Sequence, residues 1–190
     1  MLSTDLLRTK FDAGLPYAGY VATGSPANQR AWADFAKGVE LTERHAATIG
    51  GFVRTLNVIV SSGTWCGDCV QQVPMIDAIA QAAEGRIDAR YLDRDEHADL
   101  AELVKVCGGL RVPMVLILNE EFDLLALEGD RTLARYRAMA AKQLGASCPL
   151  PGAPVPAVEV AATLADWVDA FERAHLMARL STKLRQKHGD

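Results

Sequence analysis

Between residues 53 and 61 the chain carries Val53, Leu56, Val58, Ile59 and Val60, a run dense in β-branched residues. Such a run predicts a strand buried inside a sheet. It ends at the loop Ser61-Ser62-Gly63-Thr64, and a helix is predicted from Cys66 to about Ala83. Pro74 lies inside that helix, where its missing N–H and its ring predict a kink rather than a stop. Ile87 to Asp93 reads as a second strand, and Glu96 to Val106 as a helix stopped by Gly108-Gly109. Val112 to Leu118 and Phe122 to Leu127 read as short strands, and Asn119-Glu120-Glu121 between them suits an antiparallel hairpin. Residues 131–144 are predicted helical.

The flanks have a different texture. Residues 1–26 are mixed and punctuated by Gly14, Pro16, Gly19, Gly24 and Pro26, which predicts an arm with a short helical start. From Asn28 to Ile49 the residues Trp32, Phe35, Val39, Ala46 and Ile49 fall at helical spacings, and Gly50-Gly51 supplies a stop. One amphipathic helix is expected there. Gly145 to Pro156 holds four prolines and two glycines and reads as a linker. A last helix, Val158 to Leu184, presents Val160, Leu164, Trp167, Val168, Phe171 and Leu180 as an apolar stripe that needs a partner, either its own domain or a second copy of the chain. The expected division is therefore a helical extension over 1–50, a central domain over 51–145, and a linker with a packed helix over 146–190.

With 49% hydrophobic residues in 190, a real core is available. The net charge of −4 lacks the basic excess that nucleic acid or anionic membranes select, so neither is expected as a partner. Neither a secretory leader nor a bilayer-spanning stretch is evident, which points to the cytoplasm. In that reducing compartment four cysteines are not expected to be structural staples, and a Cys-x-x-Cys pair suggests chemistry or metal.

That pair is Cys66-Gly67-Asp68-Cys69, preceded by Trp65. A strand, loop and helix in this order put Cys66 at the first turn of the helix, where unpaired backbone N–H groups favour an anion. A thiolate is such an anion, so Cys66 is expected below the ordinary thiol value of ~8.5 and is the candidate nucleophile. Cys69, one turn later on the same face, is expected to be more buried and to resolve a mixed disulfide. The same spacing occurs in zinc sites, but a structural zinc usually needs four ligands. Here His45, His97, His175 and His188 are scattered and Cys107 and Cys148 stand alone, so no metal is expected.

From about Val53 to Leu144 these residues resemble the thioredoxin family. The likeness rests on Trp65-Cys66-x-x-Cys69 after an apolar strand, on Pro74 in the redox helix, on Arg111-Val112-Pro113 before a strand, and on Gly129 after the last strand. It implies an α/β thioredoxin fold, a central mixed sheet flanked by helices, here with helical extensions at both ends. It further implies a cis Pro113 beside the cysteines, Val112 offering its backbone to an extended substrate, and Trp65 as the apolar lip of the groove. The activity implied is a thiol–disulfide oxidoreductase, a reductase of protein disulfides that needs no cofactor. Its partners would be disulfide clients and an electron donor. The second reading is a thioredoxin-like binding or assembly module. A peroxidase is disfavoured by Gly63, three residues ahead of Cys66, and Gly129-Asp130 leaves a glutaredoxin-like reading open.

Three departures from the family pattern matter. Asp68 stands where thioredoxins carry proline, and its carboxylate is expected to raise the Cys66 pKa and make the dithiol a stronger reductant. Val60 occupies the place of the family's buried acid, leaving Asp68 or water to handle the resolving cysteine's proton. The helical extensions are expected simply to cover apolar surface. Cys107 is expected to be a small buried hydrophobe, and Cys148 to be exposed in the linker.

Overall fold

The computed structural model describes residues 1–144 and 155–189. In chain order the elements are α1 (Thr4–Ala13), α2 (Tyr17–Ala22), α3 (Pro26–Ala36), α4 (Glu43–Gly50), β1 (Leu56–Ser62), α5 (Gly67–Ala82) and β2 (Ile87–Asp93). They continue as α6 (Ala98–Leu103), β3 (Met114–Leu118), β4 (Leu124–Gly129), α7 (Leu133–Leu144), α8 (Ala157–Leu180) and α9 (Thr182–His188). The sheet runs β2-β1-β3-β4. β1 lies parallel to β2, with α5 as the crossover, and antiparallel to β3, which pairs antiparallel with β4.

Alternation along β1 assigns its two faces. Leu56, Val58 and Val60 join Val115, Ile117, Cys69, Val73, Ile76 and the buried face of α8 in one core. Ile59 turns the other way, to Leu7 and Phe11 of α1, Leu100 of α6, and Leu116 and Leu118 of β3. Both faces are covered, which is why the strand is apolar throughout. α5 runs through Pro74 without stopping.

The flanks depart from expectation at residues that can cap a helix. The arm is two helices, α1 and α2, the first capped by Ser3, whose hydroxyl accepts from the Leu6 N–H. The single helix expected over residues 28–49 is two: α3 ends before Gly38, and the Thr42 hydroxyl accepts from the His45 N–H to start α4. Its predicted stripe residue Ala46 is accordingly exposed. The last helix also breaks, because Ser181 turns extended and caps α9 through the Leu184 N–H. Leu180, expected in the buried stripe, is 73% exposed; Ala174, His175 and Ala178 carry the buried face onward instead. The predicted linker lies outside the described residues except for its last two, and among the described residues no helix is long and apolar enough to cross a membrane.

Candidate active site

Cys66 is the N-cap of α5, with extended backbone angles of φ −86° and ψ 123°. Gly67 is then the first helical residue, and the next two N–H groups, those of Asp68 and Cys69, face the Cys66 sulfur. A thiolate there plays the part that a serine oxygen plays in ordinary capping. The Cys69 thiol adds the largest effect by donating to the same sulfur, and together these donors outweigh burial and the Asp68 charge, bringing the Cys66 pKa down to about 6. Cys69 is completely buried, and burial, followed by its hydrogen bond to Cys66 and then the Cys66 charge, pushes its thiol well above the ordinary value. The two thiols are free. One is ready as a thiolate, and the other stays protonated until Cys66 loses its charge.

The mouth of the site is built from three loops. Trp65 is 53% exposed, with one face toward the Arg94 guanidinium, 4.8 Å from the ring centre. Its other side lies against Gly63, where a Cβ would stand 2.8 Å from the indole, so only glycine lets the ring lie there. Arg94 also donates to the Leu110 carbonyl at 3.2 Å, tying the Trp65 lip to the loop before β3. That loop contains the cis Val112–Pro113 bond, and the Cys66 thiol faces the Val112 carbonyl at 3.8 Å. Behind Pro113, Gly129 adopts φ +141°, and a Cβ there would come within 2.5 Å of the Pro113 carbonyl oxygen. Asp130 follows through a cis bond.

Asp68 does something other than expected. One of its carboxylate oxygens accepts from Arg131 and the other from Arg135 at 2.8 Å. Arg135 continues to the buried Glu159 of α8 at 2.9 Å, which also meets Lys142 at 3.1 Å. Arg131 continues to Asp130 at 2.9 Å, whose other oxygen accepts from Tyr136. Asp68 does pull the Cys66 pKa upward, as expected, but as the smallest of the five influences, and the net shift is the fall expected from the helix N-terminus. With both oxygens occupied, Asp68 is also badly placed to take a proton from Cys69. The C-terminal extension thus supplies a charge to the network around the motif besides covering apolar surface.

The N-terminal extension also reaches the site. Trp32 of α3, fully buried, donates its indole N–H to the Thr64 carbonyl at 2.9 Å and so fixes the loop that delivers Trp65 and Cys66. Its ring meets Tyr20 edge-on at 5.8 Å, and Tyr20 stacks on Tyr91 at 6.0 Å. Ser62, at the end of β1, places its hydroxyl against Cys69. Arg94, Arg131, Arg135, Tyr20, Trp32 and Ser62 were not singled out as site residues. Their residue types carry no spacing signal, and only the fold brings them to the motif. Cys107, expected to be buried, is exposed in a turn with φ +48°, where no core can hold it; Cys148 lies outside the described residues.

A family model described as thioredoxin matches residues 14–140, a stretch that includes α2 to α4 as well as the sheet. No curated protein matches the chain significantly. Among solved structures, a Pseudomonas aeruginosa protein of unknown function superposes with a TM-score of 0.66 at 24% identity, covering 90% of this chain and 99% of that one. An HIV epitope scaffold superposes with a TM-score of 0.63 at 22% identity, covering 88% of this chain and 92% of its own. At such identities these likenesses speak for the fold alone. The family match extends over more than half the chain and spans the sheet, the Cys66–Cys69 helix and the cis-proline loop, and on that basis the chain belongs to the thioredoxin family.

Proposed function

We propose that this protein is a thiol–disulfide oxidoreductase that reduces protein disulfides through Cys66 and Cys69. The observation that carries the reading is the opposite perturbation of two thiols one helical turn apart, one lowered to about 6 and the other raised. The Cys66 thiolate attacks a client disulfide, forming a mixed disulfide and releasing one client thiolate. Cys69 then displaces the second client sulfur, leaving the Cys66–Cys69 disulfide for an external dithiol donor to reduce. Val112 and the exposed face of Trp65 border the groove in which an extended client segment would lie. The dithiol itself carries the electrons, so no organic cofactor enters.

Reduction is favoured over oxidation because the Asp68 carboxylate beside Cys66 opposes the thiolate, which makes a dithiol a stronger reductant. Equilibration with glutathione should therefore give a potential closer to about −270 mV than to about −120 mV. The decisive experiment mixes reduced protein with a disulfide-bearing protein. Wild type is expected to turn over, Cys66→Ser to be inert, and Cys69→Ser to accumulate a mixed disulfide that survives non-reducing electrophoresis. Absence of exchange in the wild type would leave the binding-module reading in its place.

A further inference from the structure

Cys69 has to ionise inside the core, because the mixed disulfide cannot be resolved by a thiol. Burial opposes that ionisation, and Val60 stands where a carboxylate would assist it. Asp68 offers no help while two arginines hold its oxygens. Asp93, at the end of β2, turns one carboxylate oxygen to the N–H groups of Asp95 and Glu96, at 2.8 and 3.3 Å, within its own turn.

The same strand that removes the acid supplies a different group. Leu56, Val58 and Val60 alternate onto the face that packs against α5, and Ser62, two residues past Val60, falls on that face at the level of the motif. Its hydroxyl faces both the Cys69 sulfur and the Tyr20 hydroxyl. Ser62 is 0% and Tyr20 1% exposed, and among the described residues the two hydroxyls have each other and the Cys69 sulfur within reach but no well-formed hydrogen bond. Two buried O–H groups without a well-formed hydrogen bond, beside one buried sulfur, are an unfavourable arrangement for a dithiol. Alanine and phenylalanine would fill the same space without that penalty. The arrangement becomes favourable once the sulfur carries a negative charge, since O–H donors fixed in a site without water stabilise an anion with little reorganisation. Tyr20 is held for this by Trp32 and Tyr91, and its high pKa keeps it a donor at any physiological pH.

Building on the oxidoreductase reading, we infer that the Ser62 hydroxyl, positioned by that of Tyr20, is the hydrogen-bond donor that stabilises the Cys69 thiolate during resolution of the mixed disulfide. In that step the Cys69 sulfur attacks Cys66 Sγ, the Cys66–Cys69 bond forms, and the bond from Cys66 to the client sulfur breaks with its electron pair on the client. The proton lost by Cys69 ends on the departing client thiolate. The two electrons delivered to the client come from the dithiol, and Ser62 and Tyr20 keep their protons throughout.

The test uses full-length reduced protein and 5,5′-dithiobis(2-nitrobenzoate), whose two coloured thiolates leave separately, the first on attack by Cys66 and the second on attack by Cys69. In stopped flow, Ser62→Ala is expected to keep the first phase and slow the second by ~10-fold or more, the loss of one hydrogen bond to a charged group. Tyr20→Phe, acting through Ser62, is expected to slow the second phase ~3-fold and move its pH midpoint upward. A second phase within ~2-fold of wild type in Ser62→Ala, with the first intact, overturns the inference. Should Ser62→Ala lose the first phase as well, Tyr20→Phe decides, and an unshifted pH midpoint of its second phase overturns the inference in the same way. A wild type without any first phase is a different failure, since it overturns the oxidoreductase reading on which the inference rests.

Discussion

The two sides of the Cys66–Cys69 pair are built on opposite principles. On the side of α7 and α8, Asp68, Asp130 and Glu159 are each paired with arginine, lysine or tyrosine, and Gln72 of α5 ties its amide to the Asp130 carbonyl at 2.9 Å. On the side of α2 and α3 the polar groups that face the Cys69 sulfur are neutral hydroxyls, and among the described residues those of Tyr20 and Ser62 have no well-formed hydrogen bond. The contrast follows from cost. An unpaired buried charge is costly, so the carboxylates beside the motif sit among cations, whereas the half-buried Asp77 farther off is held by Gln81 and Tyr91 and has its pKa raised by burial. A neutral hydroxyl can be left waiting at a smaller penalty, which makes it a suitable group to hold in reserve for a charge that exists only during turnover. The charged side belongs to the resting fold and the neutral side to the reaction.

Cutting the charged side should produce the largest effect on stability. Arg135→Met leaves Asp68 with Arg131 alone and Glu159 with Lys142 alone, in a region where Arg135 is 7% and Glu159 8% exposed. A loss of about 3 kcal/mol is expected in denaturant unfolding, because removing one member of a buried ion network strands the others. A loss under ~1 kcal/mol would mean that the network behaves as surface pairs do, and the contrast between the two sides would lose its basis.

The next effect is on acidity. Alkylation of Cys66 by iodoacetamide requires the thiolate, so a thiol lowered to about 6 reacts at half its maximal rate near that pH and more slowly below it. Arg131→Ala removes one of the two cations that compensate Asp68, and the exposed negative charge disfavours the neighbouring thiolate. The midpoint should move upward, and the rate at pH 6 should fall by ~2-fold. Asp68→Asn should move it downward. Ser62→Ala, which touches the other sulfur, should leave the Cys66 midpoint in place; a shift as large as that of Arg131→Ala would erase the division of roles between the two sides.

How much of this was legible beforehand follows the same division. Dense apolar, β-branched runs bounded by turn residues located β1, β2 and the β3–β4 hairpin, because strands covered on both faces are apolar throughout, and α5 was read as the helix that follows the first of them. The motif with Trp65, Pro74, Pro113 and Gly129 located the redox centre because those residues lie close in sequence or occupy characteristic positions. The breaks before Thr42 and at Ser181 escaped, since a cap is a single polar residue inside an otherwise continuous pattern. The partners of Asp68 escaped for a stronger reason. Arg131 and Arg135 are more than sixty positions away and Glu159 lies in another helix, so nothing in the motif itself shows that the carboxylate is compensated. The upward pull of Asp68 on Cys66 was the correct electrostatic inference, and donors within the motif, the Cys69 thiol and the N–H groups of Asp68 and Cys69, outweigh it. Ser62 was visible only as part of a loop, and its meaning depends on Val60 sharing its face of the strand.

The smallest expected effect is the sharpest check on the neutral side. Tyr20→Phe deletes a hydroxyl that is buried and, among the described residues, has no well-formed hydrogen bond, while keeping the ring that packs between Trp32 and Tyr91. If that hydroxyl contributed to the resting fold, its removal would destabilise by about 1 kcal/mol, as for an ordinary hydrogen bond. As an orphan it should instead leave unfolding of the reduced protein within ~0.5 kcal/mol of wild type, or make it slightly more stable, because a desolvated group without compensation has been removed. The expected signature is therefore a variant that folds as well as its parent and resolves mixed disulfides more slowly. A clear loss of stability would place the Tyr20 hydroxyl with Asp68 among the groups that hold the resting structure together.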